Sequence, residues 1–180
     1  MTMALLSPES LGKIEREAAK YPPEQRQSAV MSALAIAQDQ HHILTNEIME
    51  EVATVLRMPP VWVYEVATFY AMYNTKATGK YKVTICTNLP CALSGAGEAA
   101  DHLMRKCGVA GFNETSADGR FTVKEGECMG ACGDAPVLLV NNKRMCGFMS
   151  NDKIDRLVEE LSVIPAPAKG EPGQAPSGTQ

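Results

Sequence analysis

The chain has 180 residues, 45% of them hydrophobic and 21% charged, enough to bury one sizeable core or two small ones. A net charge of −4 without any basic stripe argues against nucleic acid as the main partner, because phosphate binding needs clustered positive charge. No apolar run approaches the roughly 20 residues required to span a bilayer, so no direct membrane insertion is expected, and Met1-Thr2-Met3-Ala4-Leu5-Leu6 is too short for an apolar export segment.

The first part of the chain is helical in pattern. Ser7-Pro8-Glu9 predicts a helix start, with a side-chain cap, a proline in the first turn and an acid beside the positive helix end. Tyr21-Pro22-Pro23 breaks that helix, and Val30, Leu34 and Ala37 recur at helical spacing in a second. Thr45 is placed to cap a third, with Ile48, Val52, Val55 and Leu56 on one face, interrupted by Met58-Pro59-Pro60. A fourth is expected over residues 61–73. Four short helices predict a small helical bundle over residues 1–78. Trp62, Tyr64, Phe69, Tyr70 and Tyr73 put aromatics on more than one face of the fourth helix. Core packing accounts for most of them, and docking to a partner is the expected use of the rest.

The periodicity changes across residues 75–79. Tyr81-Lys82-Val83-Thr84-Ile85 alternates as a strand does, and Ser94 is expected to cap a helix that turns Ala99, Leu103 and Met104 inward and closes at Gly108. Phe121-Thr122-Val123 reads as a second strand. Pro136-Val137-Leu138-Leu139-Val140 and Arg144-Met145-Cys146-Gly147-Phe148 read as a hairpin around Asn141-Asn142, and Ser150 as the cap of a last helix over residues 152–161. The order βαβββα over residues 79–163 fits a mixed sheet with helices packed on it, and the chain as a whole is α+β. Residues 164–180, rich in Pro and Gly, cannot bury enough apolar area to offset their ordering entropy and are expected to form a disordered tail.

Chemistry concentrates in four cysteines. Cys86 and Cys91 follow the first strand, and Cys128 and Cys132 open a glycine-rich loop. Two irons held by thiolates take four cysteines, two for each iron, and the pattern C-x4-C with a later C-x3-C offers one pair per iron. A [2Fe-2S] cluster is therefore the leading reading. A zinc site stays open, because four-thiolate zinc sites use similar spacings. Disulfides need an oxidising compartment, of which there is no sign, and a thioredoxin-type redox site needs C-x-x-C, which never occurs. Gly95, Gly97, Gly130 and Gly133 let backbone amides approach sulfur, while Pro90 and Pro136 restrict the same loops. Cys107 and Cys146 read as ordinary buried thiols, and His41, His42 and His102 as surface residues. Glu125, Glu127 and Asp134 are either solvated loop charges or carboxylates that lower the potential of a cluster. No Ser-His-Asp or Cys-His set and no G-x-G-x-x-G fingerprint is present, so hydrolysis is not expected and nicotinamide and flavin belong on another polypeptide.

Three stretches carry a family resemblance: Thr84-Ile85-Cys86-Thr87-Asn88-Leu89-Pro90-Cys91, Glu127-Cys128-Met129-Gly130-Ala131-Cys132-Gly133-Asp134-Ala135-Pro136, and Val66-Ala67-Thr68-Phe69-Tyr70-Ala71-Met72. Over about residues 8–163 the chain resembles the small [2Fe-2S] subunit, known as the E component, of NADH-quinone oxidoreductase, whose relatives serve NAD-linked hydrogenases and formate dehydrogenases. The resemblance implies a thioredoxin-like [2Fe-2S] ferredoxin domain with Cys86, Cys91, Cys128 and Cys132 as cluster ligands. It implies an electron-transfer subunit of a translocating oxidoreductase, with no catalytic site of its own. FMN and NADH are then held by a partner subunit. It further implies a cytoplasmic, peripheral position on the inner face of the membrane. One departure stands out: Gly126 occupies a position where the resemblance leads one to expect a β-branched or apolar residue.

Overall fold

A computed structural model describes residues 5–163, whose contacts divide them into two units after Ala77. The tail expected over residues 164–180 lies outside the described residues.

The first unit is built from α1 (Pro8–Ala18), a 3-10 segment (Pro23–Ala29), α2 (Val30–His41), α3 (Asn46–Leu56) and α4 (Pro60–Phe69). The Ser7 hydroxyl accepts the Ser10 N–H at 3.1 Å, and the Thr45 hydroxyl accepts the Ile48 N–H at 3.4 Å. A cap of this kind stabilises a helix by about 1 kcal/mol, since it satisfies a donor that has no partner within the helix. Ile14, Ala33, Leu34, Val52, Leu56 and Val63 meet in the core, all fully buried, with Val55 at its edge.

The fourth helix stops at Phe69, four residues short of the expected end. Tyr70 turns extended, with φ −90° and ψ 120°. The cause is tertiary. The Tyr73 hydroxyl donates to the Met31 carbonyl at 2.8 Å, and Asn74 joins Leu44 and Gln38 through its backbone at 2.9 and 2.5 Å. A continuous helix would carry both residues away from these partners.

The second unit runs β1 (Tyr81–Cys86), α5 (Leu89–Leu93), α6 (Ala96–Cys107), β2 (Glu114–Thr115), β3 (Phe121–Gly126), a 3-10 turn (Cys132–Asp134), β4 (Leu138–Val140), β5 (Arg144–Cys146) and α7 (Asn151–Val163). The sheet order is β2-β3-β1-β4-β5, with β1 and β3 parallel and the other pairs antiparallel. Alternation puts Val83, Ile85, Phe121, Val123 and Leu138 on one face. There they pack against Leu103 of α6 and Ile154, Leu157 and Leu161 of α7.

Several expectations change here. Ser94 does not cap α6: it closes α5, an unpredicted short helix, where its hydroxyl donates to the Pro90 carbonyl at 3.0 Å, and α6 starts after Gly95 at φ 88°. The helix still ends at Gly108 in the left-handed region, as expected, although Met104 is only half buried. The two-residue strand β2 was also unforeseen. His102 does not face outward: its Nε2 stands 2.9 Å from Asp155 Oδ1, joining α6 to α7. The hairpin turns at Asn141 and Asn142, both at positive φ, on strands shorter than predicted. The Ser150 hydroxyl accepts the Lys153 N–H at the start of α7. No helix among the described residues is long and apolar enough to cross a membrane.

Candidate metal centre

All four cysteines lie at one end of the sheet of the second unit. Cys86 is the last residue of β1, where its N–H donates to the Val137 carbonyl at 3.1 Å, and Cys91 is in the middle of α5. Both are 2% exposed, packed with Ala96 and Val137 and flanked by Met129, Ala131 and Ala135. Cys128 and Cys132 sit in the loop after β3, and both are exposed. One thiol pair is thus set in an apolar floor while the other is carried by a loop at the surface.

The pairs meet. Burial pushes the Cys91 thiol pKa up, followed by hydrogen bonding and charge coupling to Cys86, with a smaller contribution from Cys132. Cys132 is raised by desolvation, then by its contacts with Cys128, and it too is within electrostatic reach of Cys86. Among the described residues, no three His, Cys, Asp or Glu side chains are gathered so as to hold a metal ion. Cys91 lies beside Cys86 and Cys132 beside Cys128, and a [2Fe-2S] cluster takes two thiolates for each iron.

Donors suited to thiolate charge surround the set. The Gly130 N–H points to Cys128 Sγ at 3.4 Å. Gly130 stands at φ 71°, a conformation that a side chain at this position would disfavour. Backbone N–H groups of Val137 and of Cys132 itself act on the Cys91 and Cys132 sulfurs, opposing the upward shifts. Such amides favour the deprotonated, metal-binding form of the thiol. The donor set therefore fits an iron-sulfur cluster.

The acidic residues have structural partners. The Thr87 hydroxyl donates to Glu125 Oε1 at 2.7 Å and the Asn88 amide to Glu127 Oε2 at 3.3 Å, tying the loop before Cys91 to the loop before Cys128. Asp134 is exposed at the end of the 3-10 turn that begins at Cys132, and its carbonyl accepts the Phe148 N–H at 2.6 Å. These two straps were not legible as contacts in the sequence, because Thr87 and Glu125 are 38 positions apart. Cys107 is buried in the separate sheet core, where burial, and secondarily Asp118, pushes its pKa up to about 12. Cys146 is half buried on β5. All six thiols are unpaired by disulfides.

The chain has counterparts among known proteins. The thioredoxin-like [2Fe-2S] ferredoxin family matches residues 14–162. The chain is 40% identical over 149 residues to the "E 2" component of the NADH-quinone oxidoreductase of Rhizobium meliloti, covering 83% of this chain and 86% of that one. It is 36% identical over 148 residues to NADH-quinone oxidoreductase subunit 2 of Thermus thermophilus, covering 82% and 81%. Among solved structures, an NAD+-reducing [NiFe]-hydrogenase in the H2-reduced state superposes with a TM-score of 0.62 at 24% identity, over 73% of this chain and 22% of that chain. That likeness is one of fold. Together these findings establish that the chain belongs to the thioredoxin-like [2Fe-2S] ferredoxin family, among the subunits of NADH-quinone oxidoreductases.

Proposed function

We propose that Cys86, Cys91, Cys128 and Cys132 hold one [2Fe-2S] cluster, and that the chain accepts single electrons from the flavin of a partner subunit that binds FMN and NADH. What supports this reading is the placement of two thiol pairs, one buried and one exposed, at one end of the sheet and within electrostatic reach of each other, with backbone N–H donors beside them. When bound, such a cluster supplies a one-electron reservoir. The chain's residues supply its setting. Cys86 and Cys91 fix two ligands on a strand end and a helix, elements too constrained to drift, and the loop pair closes from the solvent side. The Gly130 and Val137 amides offset the negative charge of four thiolates. Leu89 and Leu93, 71% and 81% exposed on the helix that bears Cys91, form an apolar rim suited to a protein partner rather than to water.

The helical unit offers a second contact surface. Trp62 and Phe69 are 50% and 80% exposed, with Val61 and Tyr70 also at the surface. Aromatics in such positions anchor protein interfaces. The chain then lies peripherally on the inner face of the membrane, attached through its complex. The family names of its relatives favour NADH-quinone oxidoreductase as that complex. Anaerobic isolation with metal and sulfide analysis tests the reading: two irons and two sulfides per chain, with a paramagnetic signal on reduction, are expected. Zinc in place of iron, or metal-free thiols, would overturn it. Co-purification of a flavoprotein is expected, and a hydrogenase or formate dehydrogenase module in its place would reassign the complex.

A further inference from the structure

Gly126, the departure noted in the sequence, has a specific neighbour. Parallel pairing sets Thr84 opposite Lys124 and Cys86 opposite Gly126, so Thr84, Cys86 and Gly126 share one sheet face. A Cβ at position 126 would stand 2.6 Å from Thr84 Cγ2, 3.0 Å from Met129 Cε and 3.1 Å from the Ile85 carbonyl oxygen. Carbon atoms pack at about 3.5–4.0 Å, so even one added methyl must displace a neighbour. The Ile85 carbonyl belongs to a backbone held by ladders on both sides of β1, whereas the Thr84 methyl and the Met129 methyl are side-chain ends. The added carbon needs both to move, and Met129, unbranched and in a loop, is the freer of the two. Its backbone lies on the surface loop between Cys128 and Gly130, yet its side chain packs against the apolar group of Cys86, Cys91, Ala96 and Val137. Met129 thus reaches from the exposed thiol pair to the buried one.

The geometry points to Gly126 as a positioning residue: its missing side chain forms the slot that seats Met129 over the thiol site. Met129 in turn covers the apolar side of that site against water. The inference rests on the reading of the four thiols as cluster ligands. Water stabilises the more negatively charged reduced state, so its exclusion lowers the reduction potential. An alanine at 126 displaces the cover and raises the potential while leaving all four thiols in the chain.

The test uses the full chain, loaded anaerobically, with iron and sulfide counted and the midpoint followed by electron paramagnetic resonance. Gly126→Ala and Met129→Ala are each expected to keep two irons and to shift the midpoint upward, by up to about tenfold in the reduction equilibrium, or about 59 mV for one electron. Met129→Leu, similar in volume, is expected to keep the parent midpoint, and the double alanine variant to shift no further than either single one. Parent midpoints in both single variants with the cluster intact would overturn the inference. If Gly126→Ala does not fold, the Met129 pair decides, and equal midpoints for Met129→Ala and Met129→Leu overturn it. A parent chain without two irons and two sulfides refutes the ligand assignment instead, a separate outcome.

Discussion

The two cysteine pairs do unequal work because their surroundings differ. Cys86 and Cys91 are placed by a strand end and a helix and are shut away from solvent, while Cys128 and Cys132 depend on a loop of five residues with one glycine in the left-handed region. Charge near the loop pair is therefore screened by water to an extent that charge near the buried pair is not. Asp134 is two residues beyond Cys132, in the same turn and fully at the surface. Replacing it by asparagine removes one negative charge, which favours the more negative reduced state. Asp134→Asn should raise the midpoint by less than tenfold in equilibrium, under about 59 mV. A redox titration that finds the midpoint unchanged removes this carboxylate from the control of potential. Glu125 and Glu127 differ in kind, since each accepts a hydrogen bond from the Thr87–Asn88 segment and holds two loops together.

Among elements, α7 shows how the sheet's single helical layer is secured. Its apolar face buries Ile154, Leu157, Val158 and Leu161, and its polar face engages both α6 and β5. Asp155 meets His102 at 2.9 Å and Lys106 at 3.3 Å, and Glu160 takes the Arg144 guanidinium through two hydrogen bonds. The His102 hydrogen bond, ahead of the Lys106 interactions, holds the Asp155 carboxyl below its ordinary 3.8. A depressed carboxylate pKa contributes stability that is fully present above the unfolded value and is lost as pH falls through the folded one. Asp155→Asn is accordingly expected to lower the melting temperature modestly at pH 7, with the difference from the parent shrinking below pH 3.8. A difference that persists undiminished in the most acidic buffer would show that packing, not charge, is responsible.

Local signals and tertiary ones separate cleanly at this scale. The caps at Ser7, Thr45 and Ser150 were legible because a hydroxyl and the amide it serves are three residues apart. The end of α4 was not, because nothing in residues 70–73 stops a helix; partners in α2 do so through Tyr73 and Asn74. Likewise β2 exists only through pairing with Val123 and Thr122, and two residues carry no period to read. The thiol set was visible in its spacing, but the division into buried and exposed pairs depends on Ala96 and Val137, outside either motif. Gly126 registered as an anomaly in sequence, and the groups that crowd it, Thr84 on the neighbouring strand and Met129 in the following loop, are brought there by strand pairing and loop packing.

At the scale of the molecule, two apolar cores have no residue in common. One gathers Leu6 through Tyr73, and the other begins at Tyr81. All six cysteines and the Gly130 donor belong to the second unit, and the most exposed helix aromatics belong to the first. Under the proposed function, cluster holding and much of partner recognition fall to different stretches of chain. A chain lacking residues 1–77 keeps the whole of the second core, the sheet and all four candidate ligands. It is expected to assemble its cluster with unchanged iron and sulfide content, because no ligand or N–H donor is lost. Its affinity for the flavin subunit should fall by at least tenfold, since Trp62 and Phe69 are removed and buried interface aromatics each contribute about 2 kcal/mol or more when they act as anchors. Pull-down of the flavin subunit by the full and shortened chains, with absorbance reporting cluster occupancy in both, makes the comparison. Equal capture would move recognition onto the second unit, where the Leu89 and Leu93 rim is one exposed apolar surface able to carry it.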